Sequence, residues 1–288
     1  MKRAIKNLCQ LPDAALFKEV ETGIRHVMDV VNRLDTVAEE LHGAGRHYPS
    51  RVLEYFAAEE AAKVLILVDA VRCPKNKQAE KARTLGYFYK HIAKGIYAKV
   101  CDWRPIDLAE VKKGVNDERQ QRYLDGPNDV DWIFPNSIIE QREKRLYVGY
   151  FCEDTGENNH GEGYWTSPLN DDSRVSEFFS YRTSSVVELA RALCQTNATT
   201  SDGLSVIAEI WRNVDVRDEM RFDELKRLNR RTLEALNDRG LLAPEWDQVQ
   251  VTVVNHWIYP LWTLDLQMLR VEKKELLEEQ QRWQPDVY

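Results

Sequence analysis

Arg51-Val52-Leu53-Glu54-Tyr55-Phe56-Ala57-Ala58-Glu59-Glu60-Ala61-Ala62-Lys63-Val64-Leu65-Ile66-Leu67-Val68-Asp69-Ala70-Val71 is the stretch whose reading decides the fold. Leu53, Phe56, Val64, Leu67 and Val71 recur at helical spacing, which predicts one helix over 51–71 with an apolar stripe. Glu60 falls in the middle of that stripe, and Lys63 follows at i,i+3, within pairing reach. A carboxylate on a core-facing stripe is costly unless it is paired and hydrogen-bonded. The helix therefore predicts either an internal polar network or a site around Glu60.

Working outward, residues 13–42 read as a long helix, with Asp13 as N-cap, Leu16, Val20, Ile24, Val27, Val31 and Leu34 on one face, and Gly43-Ala44-Gly45 as the stop. A third helix spans 77–100, with Leu85, Phe88, Tyr89, Ile92 and Ile96 inward. Three such helices on short loops predict an antiparallel bundle. Residues 101–136 read as a short helix (106–122) and a structured loop, and a further helix runs from Asn136 or Ser137 to about 145. The alternation in 146–152 predicts a strand, 154–163 a polar turn, and 164–168 the returning strand of a small hairpin. Beyond it, helices are expected at 173–195, 201–213, 220–238 (with Gly240 as its stop) and 253–281. The class is all-α, divided into 1–170 and a helical region at 171–288.

The 288 residues are 43% hydrophobic, enough for a substantial core, and no run approaches a membrane span. The opening Met1-Lys2-Arg3-Ala4-Ile5-Lys6 leads into no apolar run of a secretory leader, so a cytoplasmic chain is expected. Cys9, Cys73, Cys101, Cys152 and Cys194 are widely spaced and odd in number, which suits reduced thiols rather than a disulfide frame or a zinc site. The net charge of −7 argues against a generic nucleic-acid coat. Between Arg72 and Lys113, however, eleven Lys/Arg meet four Asp/Glu, a local +7 that leaves −14 elsewhere. Tyr87, Phe88, Tyr89, Tyr97 and Trp103 interleave with this charge, as in contacts to RNA. Lys75, Lys77, Lys81, Arg83 and Lys90 are the candidate RNA-binding residues. The other reading is that the aromatics are core and the lysines a solvated helix face.

Four pieces of sequence resemble one family in order and spacing. They are Ala58-Glu59-Glu60-Ala61-Ala62-Lys63; Phe88-Tyr89-Lys90-His91-Ile92-Ala93-Lys94; Tyr123-Leu124-Asp125-Gly126 with Asp131-Trp132-Ile133-Phe134-Pro135; and Gln141-Arg142-Glu143-Lys144-Arg145-Leu146-Tyr147-Val148-Gly149-Tyr150 with Trp165 and Pro168. Together, over about 14–170, they look like the AbiV-type abortive-infection proteins of the HEPN superfamily. The family pattern carries Asp where Gly149 stands. The resemblance implies a HEPN-like antiparallel helical bundle, often a homodimer, that acts in antiphage defence on RNA or the translation machinery, or through a phage protein. HEPN proteins are frequently metal-independent RNases whose signature is Arg, four to six residues, then His. The counterpart here is Arg142-x4-Tyr147, with tyrosine in the histidine's place.

Cleaving RNA without a metal requires a base for the 2′-hydroxyl, an acid for the leaving oxygen and a cation for the phosphorane. Histidine as a residue type suits the first two roles; His91 is the histidine of the basic block, and Lys94 shares its helix side at i,i+3. Arg142 offers a planar fork to phosphate, and Tyr147 a proton. Glu59, Glu60 and Lys63 are the expected supporting network, with Glu60 orienting His91 or Lys94. The competing reading makes Glu60, Lys63, His91, Lys94 and Arg142 an internal network that fixes bundle register, in a non-catalytic module that binds RNA or a protein. No cofactor, metal or membrane partner is expected. His160, in the polar turn, has no second histidine or cysteine at ligand spacing.

Overall fold

The computed structural model describes residues 4–123, 133–134, 136–152, 163–168 and 181–270, with 272, 274 and 278 beyond them. Its frame is a pair of long helices, α1 (Asp13–Gly43) and α2 (His47–Arg72), folded back on each other through a three-residue connection. α1 buries Leu16, Val20, Ile24, Val27 and Val31 on one face, as its periodicity predicts. α2 is enclosed almost all round from Ala61 to Arg72, with only Lys63 partly open. Burying each of its aliphatic side chains is worth about 1.5–3 kcal/mol. That outweighs the few tenths of a kcal/mol that Val64, Ile66 and Val68 each cost in helix propensity, so packing rather than intrinsic preference holds α2.

The expected helix over 77–100 is two helices, α3 (Gln78–Tyr87) and α4 (His91–Val100), parted by an extended Lys90. One straight helix of that length spans about 36 Å and carries its second half away from α2. The break instead lets both halves bury an apolar face, Leu85 and Tyr87 on α3, Ala93, Ile96 and Tyr97 on α4. α4 runs along α2 in the same direction, with His91 beside Glu59 and Tyr97 beside Asp69. α5 (Leu108–Arg119) and α6 (Ser137–Leu146) follow, joined through a two-residue ladder of β1 (Arg122–Tyr123) with β2 (Ile133–Phe134). The expected hairpin is present as antiparallel β3 (Gly149–Cys152) and β4 (Gly163–Thr166). Its polar turn, with His160, lies outside the described residues, as does the motif segment 124–132.

α7 (Ser185–Gln195), α8 (Ser201–Trp211), α9 (Phe222–Asp238) and α10 (Gln250–His256) form the C-terminal region. α7 and α8 pack on α1 and α2, so one apolar core runs through both parts of the chain. The helix expected from 173 begins only at Ser185, after an extended Ser184, and 181–184 are not helical; residues 173–180 lie outside the described set. Gly240, at φ 66°, closes α9 as expected: its N–H donates to Asn237 and that of Leu241 to Leu236. The helix expected over 253–281 is not continuous: among the described residues, 257–270 lie outside any α-helix. α10 stops at His256, where Trp257 turns extended, and Pro260, which has no N–H, keeps the helix from continuing across 257–260.

Residues 257–266 instead cross the base of the bundle, tied down by a buried ion pair that the sequence reading did not single out. Arg72 Nη1 donates to Asp69 Oδ1 at 3.0 Å and to the Ile258 carbonyl at 3.1 Å. Its guanidinium stacks on Trp211 at 3.8 Å and faces Trp257 at 4.9 Å. The other Asp69 oxygen accepts from Tyr97 Oη at 2.8 Å and from the Leu261 N–H at 2.7 Å. Removing one member of such a pair leaves a buried charge uncompensated, at about 3–5 kcal/mol. Arg72→Met is therefore expected to lower the unfolding free energy by about that amount in urea titration; a loss under about 1 kcal/mol contradicts this role.

Candidate functional site

Glu59, not Glu60, is the carboxylate that α2 turns inward. Its side chain is 5% exposed, whereas Glu60 is 24% exposed and pairs with Lys63 at 2.5 Å, with Lys63 lying over the Phe88 ring. Adjacent helix positions are about 100° apart, and α2 is covered on several sides by different neighbours. The stripe that faces α1 does not fix which side meets α4. Glu60 touches neither His91 nor Lys94; that part is played one residue earlier.

Three helices converge on Glu59. Lys94 Nζ, one turn into α4, donates to Oε2 at 2.6 Å and is itself only 6% exposed. His91 Nδ1, at the start of α4, is 3.0 Å from Oε1 and 2.9 Å from Oε2. Arg142 Nε of α6 is 3.6 Å from Oε1, an ion pair without a hydrogen bond. Burial works against the Glu59 charge, but the hydrogen bond and charge of Lys94, then those of His91, outweigh it and hold the carboxyl below the ordinary glutamate range. An ionised carboxylate only accepts, so His91 Nδ1 carries a proton and donates it. In the neutral ring Nε2 is then the free base. The ring is 47% exposed, so this nitrogen is accessible beside a carboxylate that is not.

Close approach of α6 depends on Gly95. A β-carbon there would sit 2.4 Å from Ile138 Cγ2, so only glycine admits α6 at this spacing. Asn136 fixes the start of α6: its Oδ1 accepts from the Ile138 N–H at 2.9 Å, and its Nδ2 donates to the carbonyls of Glu118 and Gln120. Arg142 lies four residues after Ile138, on the same helix face, and so is carried onto Glu59. With His91 neutral, the cluster holds one carboxylate against Lys94 and Arg142 and is net positive. Tyr55, one turn before Glu59, completes it from below. Its hydroxyl is buried without a hydrogen-bond partner, and burial, then the Glu59 charge, pushes its pKa well up. Neither Tyr55 nor Gly95 was read as part of a site, although i−4 spacing from Glu59 marks Tyr55 once the right carboxylate is chosen.

The remaining expected residues do not gather here. Tyr147 is the C-cap of α6, 57% exposed, and makes no hydrogen bond to the cluster. Lys81 and Arg83 are not surface cations: Lys81 is buried under α3, and Arg83 donates to the Trp262 carbonyl at 2.9 Å. Lys75 is exposed but pairs with Asp13 at 2.8 Å, Lys77 lies 3.8 Å from Glu80, and Lys90 is exposed beside His91. Tyr87 and Tyr97 are core. The basic block is thus spread over inner and outer faces rather than forming one surface. Among the described residues no group of His, Cys, Asp and Glu is placed to hold a metal, and no helix is long and apolar enough to cross a membrane.

A helical bundle with a small hairpin is the architecture that the sequence motifs implied; its polar cluster lies between the second, fourth and sixth helices. Residues 19–180, more than half of the chain, match the family model HEPN_AbiV, described as AbiV. The chain belongs to this AbiV-type HEPN family. No curated protein and no solved structure matches it. The match spans Glu59, His91, Lys94 and Arg142.

Two outcomes follow from this geometry. A carboxyl whose folded pKa is depressed contributes stability above its unfolded pKa of about 4.3, and loses it as pH falls through the folded value. Glu59→Gln is expected to cost about 3 kcal/mol at pH 7. The gap between the two proteins should then narrow in urea titrations carried below the ordinary glutamate range; a gap constant down to acid pH contradicts the ionised Glu59. Gly95→Ala is expected to cost about 1–3 kcal/mol by overpacking. Adding Ile138→Ala should cost less than the sum of the two single losses, and strictly additive losses contradict the contact.

Proposed function

We propose that this chain is an abortive-infection effector that cuts RNA without a metal, with His91 as its acid–base residue. The observation that carries the reading is the exposed His91 ring held through Nδ1 on buried Glu59, with Arg142 alongside. His91 Nε2 takes the proton of an RNA 2′-hydroxyl as that oxygen attacks the adjacent phosphorus. Arg142 steadies the charge that develops on the non-bridging oxygens; its fork is not used up on Glu59, which it meets only at 3.6 Å. The bond from phosphorus to the 5′-oxygen breaks, and the imidazolium returns its proton to that leaving oxygen. The products are a 2′,3′-cyclic phosphate and a 5′-hydroxyl. Lys94 is too deeply placed to reach substrate and acts as a positioning residue that keeps Glu59 charged. Cutting RNA of the translation machinery would halt growth and phage protein synthesis together.

One observation favours a second reading. Tyr147 stands where HEPN enzymes carry their histidine, and it lies outside the cluster. In that reading the cluster fixes the register of a non-catalytic module that blocks phage protein synthesis by binding RNA or a protein. A cleavage assay on total bacterial RNA in EDTA separates the two. His91→Ala, matched for thermal stability, is expected to lower the rate by about 10²–10⁴-fold, with cyclic-phosphate ends on the wild-type products. Full activity in His91→Ala contradicts the assignment, and no cleavage by the wild type favours the binding module.

A further inference from the structure

The β3–β4 hairpin leaves α6 directly and presents aromatic rings to solvent. Tyr150 and Trp165 are cross-strand partners, with ring centroids 5.0 Å apart and planes tilted by 58°. They are 60% and 69% exposed, among the most exposed large apolar side chains of the described residues, and Tyr147 and Val148 beside them are 57% and 60% exposed. A cross-strand aromatic pair normally stabilises a hairpin by covering itself against a core. Among the described residues, β3 and β4 instead make their main contacts with each other. Two exposed aromatic rings in contact on one hairpin suit an interaction surface.

Its position and surroundings select the occupant. Arg142 is four helical residues, about 6 Å, from the end of α6 at Leu146. Tyr150 is four residues further, at most about 13 Å of extended chain. The rings therefore lie within the reach of a short single strand from Arg142 and His91. Arg145, exposed in the last turn of α6, holds its guanidinium 5.5 Å from the Tyr55 ring, and with Arg142 it brings two guanidinium groups to the cluster from the helix that leads into the hairpin. Aromatic faces near arginines suit unpaired nucleobases and the phosphates that join them. They suit a duplex poorly, since its bases are already stacked. An apolar protein surface would gain little from the arginines.

We propose that Tyr150 and Trp165 form a stacking platform that binds unpaired bases of single-stranded RNA and leads the strand to the Glu59–His91–Arg142 cluster. The inference rests on the endoribonuclease reading for where the strand goes, but not for the binding itself.

The test uses the full chain and a fluorescein-labelled 2′-O-methyl RNA, which lacks the 2′-hydroxyl and so reports binding without cleavage. Anisotropy is measured for this single strand and for its duplex. The wild type is expected to prefer the single strand. Tyr150→Ala and Trp165→Ala should each weaken single-strand binding by about 5- to 100-fold, the range for loss of one base stack. Trp165→Phe should recover most of the loss, whereas a structural effect on the hairpin would not track ring stacking in this way. Alanine variants that bind as the wild type does, equal binding of duplex and single strand, or no binding of either overturn the platform. The two readings fail separately. If His91→Ala abolishes cleavage while the platform variants keep the wild-type KM on unmodified RNA, the platform is wrong and the nuclease stands. If nothing cleaves yet binding depends on both rings, the platform stands and the nuclease reading falls.

Discussion

A carboxylate with 5% exposure in the middle of α2 has to be answered from every side, and the way it is answered organises this molecule. Left alone, a buried charge costs several kcal/mol, more than a third of the whole stability of many domains. Lys94 meets that cost with a 2.6 Å hydrogen bond from within the core. His91 and Arg142 are then not required for neutrality, and each keeps donor or acceptor capacity facing outward. The same constraint accounts for the break at Lys90, which starts α4 where its first residue reaches Glu59, and for Gly95, which lets α6 come close enough to bring Arg142.

A second buried pair, Asp69 with Arg72, lies three turns along α2 and has a different character. Every partner of Asp69 is internal, and the Arg72 guanidinium is closed off between Trp211 and Trp257. That pair has no accessible group and no free acceptor. It welds the segment after α10 to the bundle. The contrast is what separates a structural network from a candidate site: both hold buried charge, but only the Glu59 cluster ends in a half-exposed imidazole.

Much of the helical frame was legible in the sequence because α1, α8 and α9 carry one-sided apolar periodicity and stop signals such as Gly240. α2 was recognised, but its rotation was not. A helix buried on nearly all sides has no single stripe, so Glu60 looked inward when Glu59 is the residue that turns in. The join between α3 and α4 has no proline, and Gly86 falls inside the last turn of α3 rather than after it, so packing on α2 decides where the chain breaks. Pro260 did carry a signal, but Ile258, Leu261 and Leu264 mimic helical spacing while lying on a segment that crosses the core. Counting charge between Arg72 and Lys113 could not tell exposed Lys90 from buried Lys81, because net charge carries no direction. Within the candidate site, His91, Lys94 and Arg142 were found by chemical type, whereas Tyr55 and Gly95 follow only from knowing which carboxylate they serve.

The claim on which all of this turns is that Glu59 holds His91 by Nδ1 and leaves Nε2 free. Long-range ¹H–¹⁵N correlation of the histidine side chains, with His91 assigned by substitution, reads the tautomer directly. The account predicts a protonated Nδ1 and a bare Nε2 for the neutral ring of His91, with that preference lost in Glu59→Gln. A wild-type His91 in the Nε2–H form, or one indifferent to the Glu59 substitution, would contradict it.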